Sequence, residues 1–320
     1  MEKVRLKNAR MIFAAALLVF AMLISACGSG ANRTAAGEKD GKLKVVTTIA
    51  QIAEPLSVIG GDRIDVESLM GPGIDPHLYN ATQSDILKLE SADVIFYNGL
   101  HLEANMLRAF DEIGKSKPVV AMGEAVAQEK LLKDENGVID PHIWFDIDLW
   151  KEALSAATDK LKELSAEDAE YFEANKNEYF KQLDALKEEA VGKLSRIPEQ
   201  KRILVTAHDA FGYFGRMLDI EVIGLQGLST EDEIGLTDIE QTIDILVEHS
   251  VPAVFVESSI NPASINAVIE GAKKHGLDVK LGGELYSDAM GDPGSEEGTY
   301  LGMYRHNVET IYSALSGKDE

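Results

Sequence analysis

Cysteine is almost absent from this chain of 320 residues: there is one, Cys27. A single thiol excludes an intrachain disulfide and every multi-cysteine zinc or iron–sulfur site, so any metal chemistry must use histidine and carboxylates. Cations are scarce too, with 31 Lys and Arg against 54 Asp and Glu and a formal charge of −23. So acidic a surface repels a polyanion, which excludes nucleic acid as a partner. There is no P-loop, no His-Glu-x-x-His helix, no Gly-x-Ser-x-Gly elbow and no internal repeat. What is plentiful is apolar residues, 45% of the chain, enough for a well-cored globular protein of one large domain or two ordinary ones.

The beginning of the chain reads as an address. Lys3, Arg5, Lys7 and Arg10 form a basic segment, and Met11 to Leu23 is an apolar stretch of 13 residues. A membrane-spanning helix needs about 20, so this stretch fits the core of a secretory signal. Leu23-Ile24-Ser25-Ala26-Cys27 resembles a bacterial lipobox, in which the cysteine is diacylated and becomes the mature N-terminus. The expectation is a signal peptide at 1–26, a lipidated Cys27 and a Gly- and Ala-rich tether to residue 42. The folded part then works outside the cytoplasmic membrane, held to it by lipid.

Beyond the tether, short apolar runs alternate with amphipathic ones. Strands are expected at 43–48, 64–70, 94–97 and 119–121, with helices near 49–60, 82–91 and 101–114. The second half repeats the style, with strands near 203–207, 221–224, 253–257 and 279–281 and helices near 209–218, 237–250, 261–275 and 299–316. Such alternation predicts an α/β fold of two βα lobes with parallel sheets. Between them Phe172, Tyr179, Leu183, Leu186, Ala190 and Leu194 mark one long helix, capped by Ser165 with Asp168 reaching back. At about 29 residues it is a rod of roughly 43 Å. Its place between the halves makes it a rigid connecting spine, dividing the chain into a lobe at 43–164, a spine at 165–196 and a lobe at 197–320.

Of seven histidines, His101, His249, His275 and His306 lie in helical stretches or their ends among charged residues, where a solvated face accounts for them. His77 follows Asp75-Pro76, His142 follows Asp140-Pro141, and His208 closes the strand at 203–207. All three fall at or beyond carboxyl ends of strands, the edge where open α/β sheets form ligand crevices. Proline stiffens the two loops, and either aspartate can accept the ring N–H that faces away from a metal. A divalent cation also needs an anionic donor; Asp288, in Tyr286-Ser287-Asp288-Ala289, is one candidate and Glu257 a rival.

The segments MGPGIDPHLYNAT, SADVIFYNGLHLE, DPHIWFD, LVTAHDAFGYF, VFVESSINPASINAV, GGELYSDAMG and GTYLGMYRHN resemble, in order and across the whole mature chain, the cluster A-I (cluster 9) substrate-binding lipoproteins of manganese and zinc ABC transporters. The resemblance implies a metal site in the cleft between lobes, with His77, His142, His208 and Asp288 as metal ligands, deciding for Asp288 over Glu257. It implies a non-enzymatic binding protein, working as a monomer with a membrane permease and a cytoplasmic ATPase, as the lipoprotein of a Gram-positive cell. It implies Mn(II) as bound cargo, with Zn(II) as the alternative: three imidazoles suit zinc, yet residues 124–139 lack the His-rich loop of many zinc importers. A metal-dependent hydrolase and a surface adhesin are the remaining readings. Four protein donors close a site that a hydrolase keeps open to water, and no residue here speaks for adhesion.

Overall fold

A computed structural model describes residues 41–317; the expected leader, Cys27 and the tether up to residue 40 lie outside the described residues. Strands β1 (Leu43–Thr47), β2 (Ile64–Ser68), β3 (Val94–Tyr97) and β4 (Val119–Ala121) form one parallel sheet in the order β2-β1-β3-β4. Val45 pairs with Val66 on one side and Val94 on the other. Helices α1 (Ala50–Gly60), α2 (Gln83–Ser91) and α3 (Leu107–Ile113) make the connections. Val46, Ile95 and Phe96 are buried because helices cover both faces, which is why these strands read as unbroken apolar runs.

The second lobe pairs β5 (Ile203–His208) with β6 (Glu221–Gln226) and β7 (Ala253–Glu257) with β8 (Lys280–Leu285), both parallel, with β5 beside β7. Hydrogen bonds join them as two separate two-stranded sheets, and the proximity of β5 to β7 sets the four strands side by side as β6-β5-β7-β8. Here α6 (Gly212–Leu218), α7 (Leu236–His249) and α8 (Ala263–Lys274) connect the strands, and α9 (Tyr300–Leu315) follows β8.

Two helices join the lobes. The first, α4 (Ile147–Leu164), escaped the reading of the sequence. Its signal was nevertheless present: Asp146 caps it, accepting from the N–H groups of Asp148 and Leu149, and Leu149, Trp150, Ala153, Leu154, Ala157 and Leu161 form its buried stripe. The second, α5 (Ala169–Leu194), is the expected spine, with 26 residues and a length of about 39 Å. Its buried residues are the six apolar positions that marked it in the sequence. It packs against α1 and α4 on one side of the molecule and α6 and α9 on the other. One apolar core therefore runs through both lobes, with a smaller one confined to the second.

Two local expectations fail. Ser165 does not cap the spine: its hydroxyl lies 2.6 Å from the Asp168 carboxylate, and a 3-10 turn at Ala166–Asp168 uses the Ser165 carbonyl instead. His101 is not helical either. Gly99, Leu100 and His101 take φ of 78°, 54° and 70°, and α3 begins only at Leu107. Left-handed backbone costs on the order of 1–2 kcal/mol per non-glycine residue. The turn brings Glu103 back beneath β3, where its buried carboxylate accepts from Thr48 Oγ1 (2.6 Å), Asn98 N (2.8 Å) and Gly99 N (3.0 Å). Those bonds offset the strain.

Candidate metal centre

The Asp-Pro-His segments fold alike. Asp75 Oδ1 accepts the backbone N–H of His77 at 2.9 Å, and Asp140 Oδ1 accepts that of His142 at the same distance. An Asp side chain closing on the N–H two residues on is a turn that the intervening proline pre-sets. The second loop is also anchored from outside: Asn98 Nδ2 donates to the Pro141 carbonyl (2.9 Å) and Tyr213 Oη to that of Asp140 (2.9 Å).

The rings are held differently. His142 Nδ1 lies 2.8 Å from Asp140 Oδ1, so the carboxylate fixes both peptide and imidazole. His208 ends β5, and Glu257 ends the neighbouring β7. Glu257 Oε1 accepts the His208 N–H at 2.9 Å, and Oε2 is 2.6 Å from its Nδ1. Glu257 therefore stands behind a histidine rather than among the inward-facing donors, a role its place at a strand end did not reveal. Asp75 leaves the His77 ring alone, contrary to one of the two expectations for the Asp-Pro pairs. With protons on Nδ1 of His142 and His208, their Nε2 lone pairs point inward.

Asp288 arrives from the segment after β8. The carbonyl of Ser287 accepts from Gln51 Nε2 (3.1 Å) and Trp144 Nε1 (3.2 Å), both first-lobe residues. Asp288 Oδ1 faces His142 Nε2 at 3.3 Å, and Oδ2 faces His208 Nε2 at 3.2 Å and His77 Nε2 at 3.7 Å. One donor atom from each of the four residues lies within 4.8 Å of every other, and all four side chains are buried. Neither Asp288 oxygen nor His208 Nε2 has a hydrogen-bond partner of good geometry among the described residues, and His208 Nδ1 and Glu257 Oε2, though only 2.6 Å apart, meet as a close charge contact rather than an aligned bond. Polar atoms left this way inside a protein are costly unless something else satisfies them. The convergence of the Asp288 oxygens and His208 Nε2 on one point fits a metal ion.

Charge follows the same geometry. Burial pushes His77 down, to about 3, with the neighbouring imidazoles adding to the effect and Asp288 opposing it. Burial also works against charge on His142, but Asp140 and Asp288 outweigh it and hold the ring at about 9. For His208, Glu257 and Asp288 likewise overcome burial and raise it well above the usual range. Burial disfavours the Asp288 anion, yet the three imidazoles hold its carboxyl far below the ordinary value.

The other histidines stand apart: His101, His249 and His275 are exposed, and His306 bonds the Glu284 carbonyl (2.9 Å). Among the described residues no helix is long and apolar enough to cross a membrane.

Two α/β lobes fixed on a spine, with a buried donor cluster at their junction, define a two-lobed binding protein. The chain belongs to the family described as ZnuA, zinc-uptake complex component A, periplasmic, which it matches over residues 45–314. It is 46% identical to the manganese-binding lipoprotein MntA of Bacillus subtilis over 302 residues, 94% of this chain and 98% of that protein. It is 31% identical to the manganese ABC transporter substrate-binding lipoprotein PsaA of Streptococcus pneumoniae, covering 94% and 97%. The solved structure of the periplasmic zinc-binding protein TroA from Treponema pallidum superposes with a TM-score of 0.85 at 43% identity, covering 86% of this chain and all of that one.

Proposed function

We propose that this chain is an extracytoplasmic solute-binding lipoprotein that captures Mn(II) at His77, His142, His208 and Asp288 and delivers it to the permease of an ABC importer powered by a cytoplasmic ATPase. In this reading residues 1–26 are a signal peptide, Cys27 carries the lipid and residues 28–42 are the tether. The functional unit is a monomer comprising lobes at 43–164 and 197–320 and a spine at 165–196, on the outer face of a Gram-positive cell membrane.

The observation that carries the reading is the donor set itself. Both oxygens of Asp288 face imidazole nitrogens at 3.2 to 3.7 Å and lack hydrogen-bond partners. A carboxylate binding through both oxygens supplies five donors with the three imidazoles. Five donors suit Mn(II) better than the four-coordinate tetrahedron usual for zinc. Relatives named for manganese and for zinc both lie close, and zinc outranks manganese in intrinsic affinity for most nitrogen–oxygen sites. Zn(II) therefore binds at least as tightly in vitro, and it is the alternative cargo. A donor set closed by protein leaves no position for an attacking water, which speaks against a hydrolase.

The test has two parts. Protein purified without added metal should hold about one equivalent of a divalent ion, and a deletion strain should show a growth and uptake defect relieved by manganese. Relief by zinc and not by manganese overturns the choice of cargo; protein that cannot hold a stoichiometric ion overturns the binding reading.

A further inference from the structure

Carboxylates stand behind the rings of His142 and His208, but no side chain grips Asp288 from behind, and neither of its oxygens has a hydrogen-bond partner among the described residues. Its aim is set by the peptides on either side. Asn307 of α9 holds Tyr286 at both ends, accepting its N–H at 2.9 Å and donating to its carbonyl at 2.7 Å. Ser258 Oγ donates to the Ala289 carbonyl at 3.3 Å. The Ser287 carbonyl, in the peptide that carries the Asp288 N–H, accepts from Gln51 Nε2 and Trp144 Nε1. All four holding side chains are neutral, so none of them competes with an ion for the carboxylate.

Gln51 is the anomaly among them. It lies on the buried face of α1 with Ile52, Pro55, Leu56 and Ile59, and it is itself 0% exposed. The Ser287 carbonyl can only accept, so the amide NH2 faces it and Oε1 is left without a partner among the described residues. Burying half an amide unpaired is costly, and an apolar side chain of the same size would fill the place without that cost. Local rules of this kind are broken where function requires it. What Gln51 gains for its cost is a hold on the one peptide that aims the only anionic donor.

From this geometry we infer that Gln51 is a specificity-determining residue of the metal centre: by pinning the Ser287 carbonyl it keeps both oxygens of Asp288 turned to the ion, and so favours an ion that takes five donors over one that takes four. It is a positioning residue, acting through the Ser287–Asp288 peptide. With the carbonyl freed on that side, the peptide turns and the carboxylate settles on the ion through one oxygen. Mn(II) then loses one of five donors, while Zn(II) keeps a tetrahedral set of three imidazole nitrogens and one oxygen. Trp144 shares the carbonyl, but its ring also lies edge-on to His142 with centroids 5.3 Å apart, so Gln51 is the separable half of the pair. This inference rests on the metal-binding reading above, whichever ion is the natural cargo.

The test compares the wild type with Gln51→Met, which keeps the length of the side chain and removes the donor. Affinities for Mn(II) and Zn(II) are measured by competition with a chelator, and the Co(II)-loaded proteins are compared by absorption. Losing one such bond should weaken Mn(II) binding about three- to tenfold, with Zn(II) within about twofold of the wild type. The Co(II) bands should intensify, as they do when a five-coordinate ion becomes tetrahedral, a change that loss of packing alone does not produce. Gln51→Leu, which also lacks the donor, decides the matter if Gln51→Met does not fold. Ile59→Val, on the same buried face of α1, should lower the melting midpoint of the metal-free protein and leave the ratio of the two affinities alone. Equal losses for both ions, or no loss for either, overturn the inference, as does an unchanged Co(II) spectrum. A ratio moved as far by Ile59→Val assigns the effect to packing and overturns it too. A wild-type protein that holds no ion refutes the metal-binding reading instead.

Discussion

Replacing Glu257 with Gln removes one charge and one acceptor while keeping the side chain's shape. In the native protein both carboxylate oxygens serve His208, one taking its N–H at 2.9 Å and the other lying 2.6 Å from Nδ1. An amide has one oxygen to offer. Its NH2 group must then face either the backbone N–H, donor against donor, or the ring Nδ1. In the second case the ring proton moves to Nε2, the atom whose lone pair must point at the ion. At 2% exposure Glu257 has no water to take over the lost role. Partners standing behind a metal-binding histidine are worth about 10- to 100-fold in metal affinity, equivalent to about 1.4 to 2.8 kcal/mol. A competition titration against a chelator of known affinity, on protein shown by circular dichroism to be folded, reads that loss directly. An affinity within twofold of the wild type would refute the argument that Glu257 sets the tautomer of His208.

Alanine at His77, His142, His208 or Asp288 should each abolish stoichiometric binding in the same titration, whereas His101→Ala, His249→Ala, His275→Ala and His306→Ala should leave it within about twofold; a control histidine as sensitive as His208 would displace the assignment. An ion must expel the protons that His142 and His208 hold, so affinity should rise with pH between 6.5 and about 9 and the calorimetric enthalpy should depend on the buffer. The sign reverses for the metal-free fold: the folded pKa of His142 is above its unfolded value, so its stabilising contribution is complete below pH 6.5 and lost as pH rises through about 9. A metal-free melting temperature that climbs across that window contradicts the pairing with Asp140. Cys27→Ala should move the protein from the membrane fraction to the soluble one with metal affinity unchanged; continued membrane association would sink the lipid anchor.

Periodicity was enough to find most of the architecture. Apolar runs such as Val94–Tyr97 and Ala253–Glu257 sit in the structure as they read in the sequence, because a strand covered on both faces leaves an unbroken apolar signature. The spine was legible through six residues that all turned out to be buried. The helix α4 was overlooked because it follows a long irregular segment rather than a strand, although its stripe and its cap were both visible. The four clustered donors were within reach, since strand-end histidines mark the edge where crevices form and the family resemblance chose Asp288. Their supports were not. Glu257 meets His208 only because β7 lies beside β5, a neighbourhood no linear spacing encodes. Thr230 Oγ1 donates to Asp75 Oδ2 (2.6 Å) only because two lobes are apposed, and the turn at 99–101 is set by where Glu103 must go.

The same apposition limits how an ion can leave. Trp144 and Phe145, from the first half of the chain, are buried against Phe211, Phe214, Tyr300 and Tyr304 from the second. Phe145 stacks on Phe211 with ring centroids 4.6 Å apart. Tyr300 and Tyr304 donate to the carbonyls of Trp144 (2.6 Å) and Phe145 (3.0 Å). Swinging the lobes wide apart would expose these six rings at about 1.5–3 kcal/mol each, on the order of 10 kcal/mol together. That rivals the whole free energy of binding an ion at nanomolar affinity, about 12 kcal/mol. The spine adds to the resistance by packing on helices of both lobes at once. Release by a broad hinge is therefore the expensive route. A local rearrangement that leaves the aromatic junction intact costs only a few hydrogen bonds.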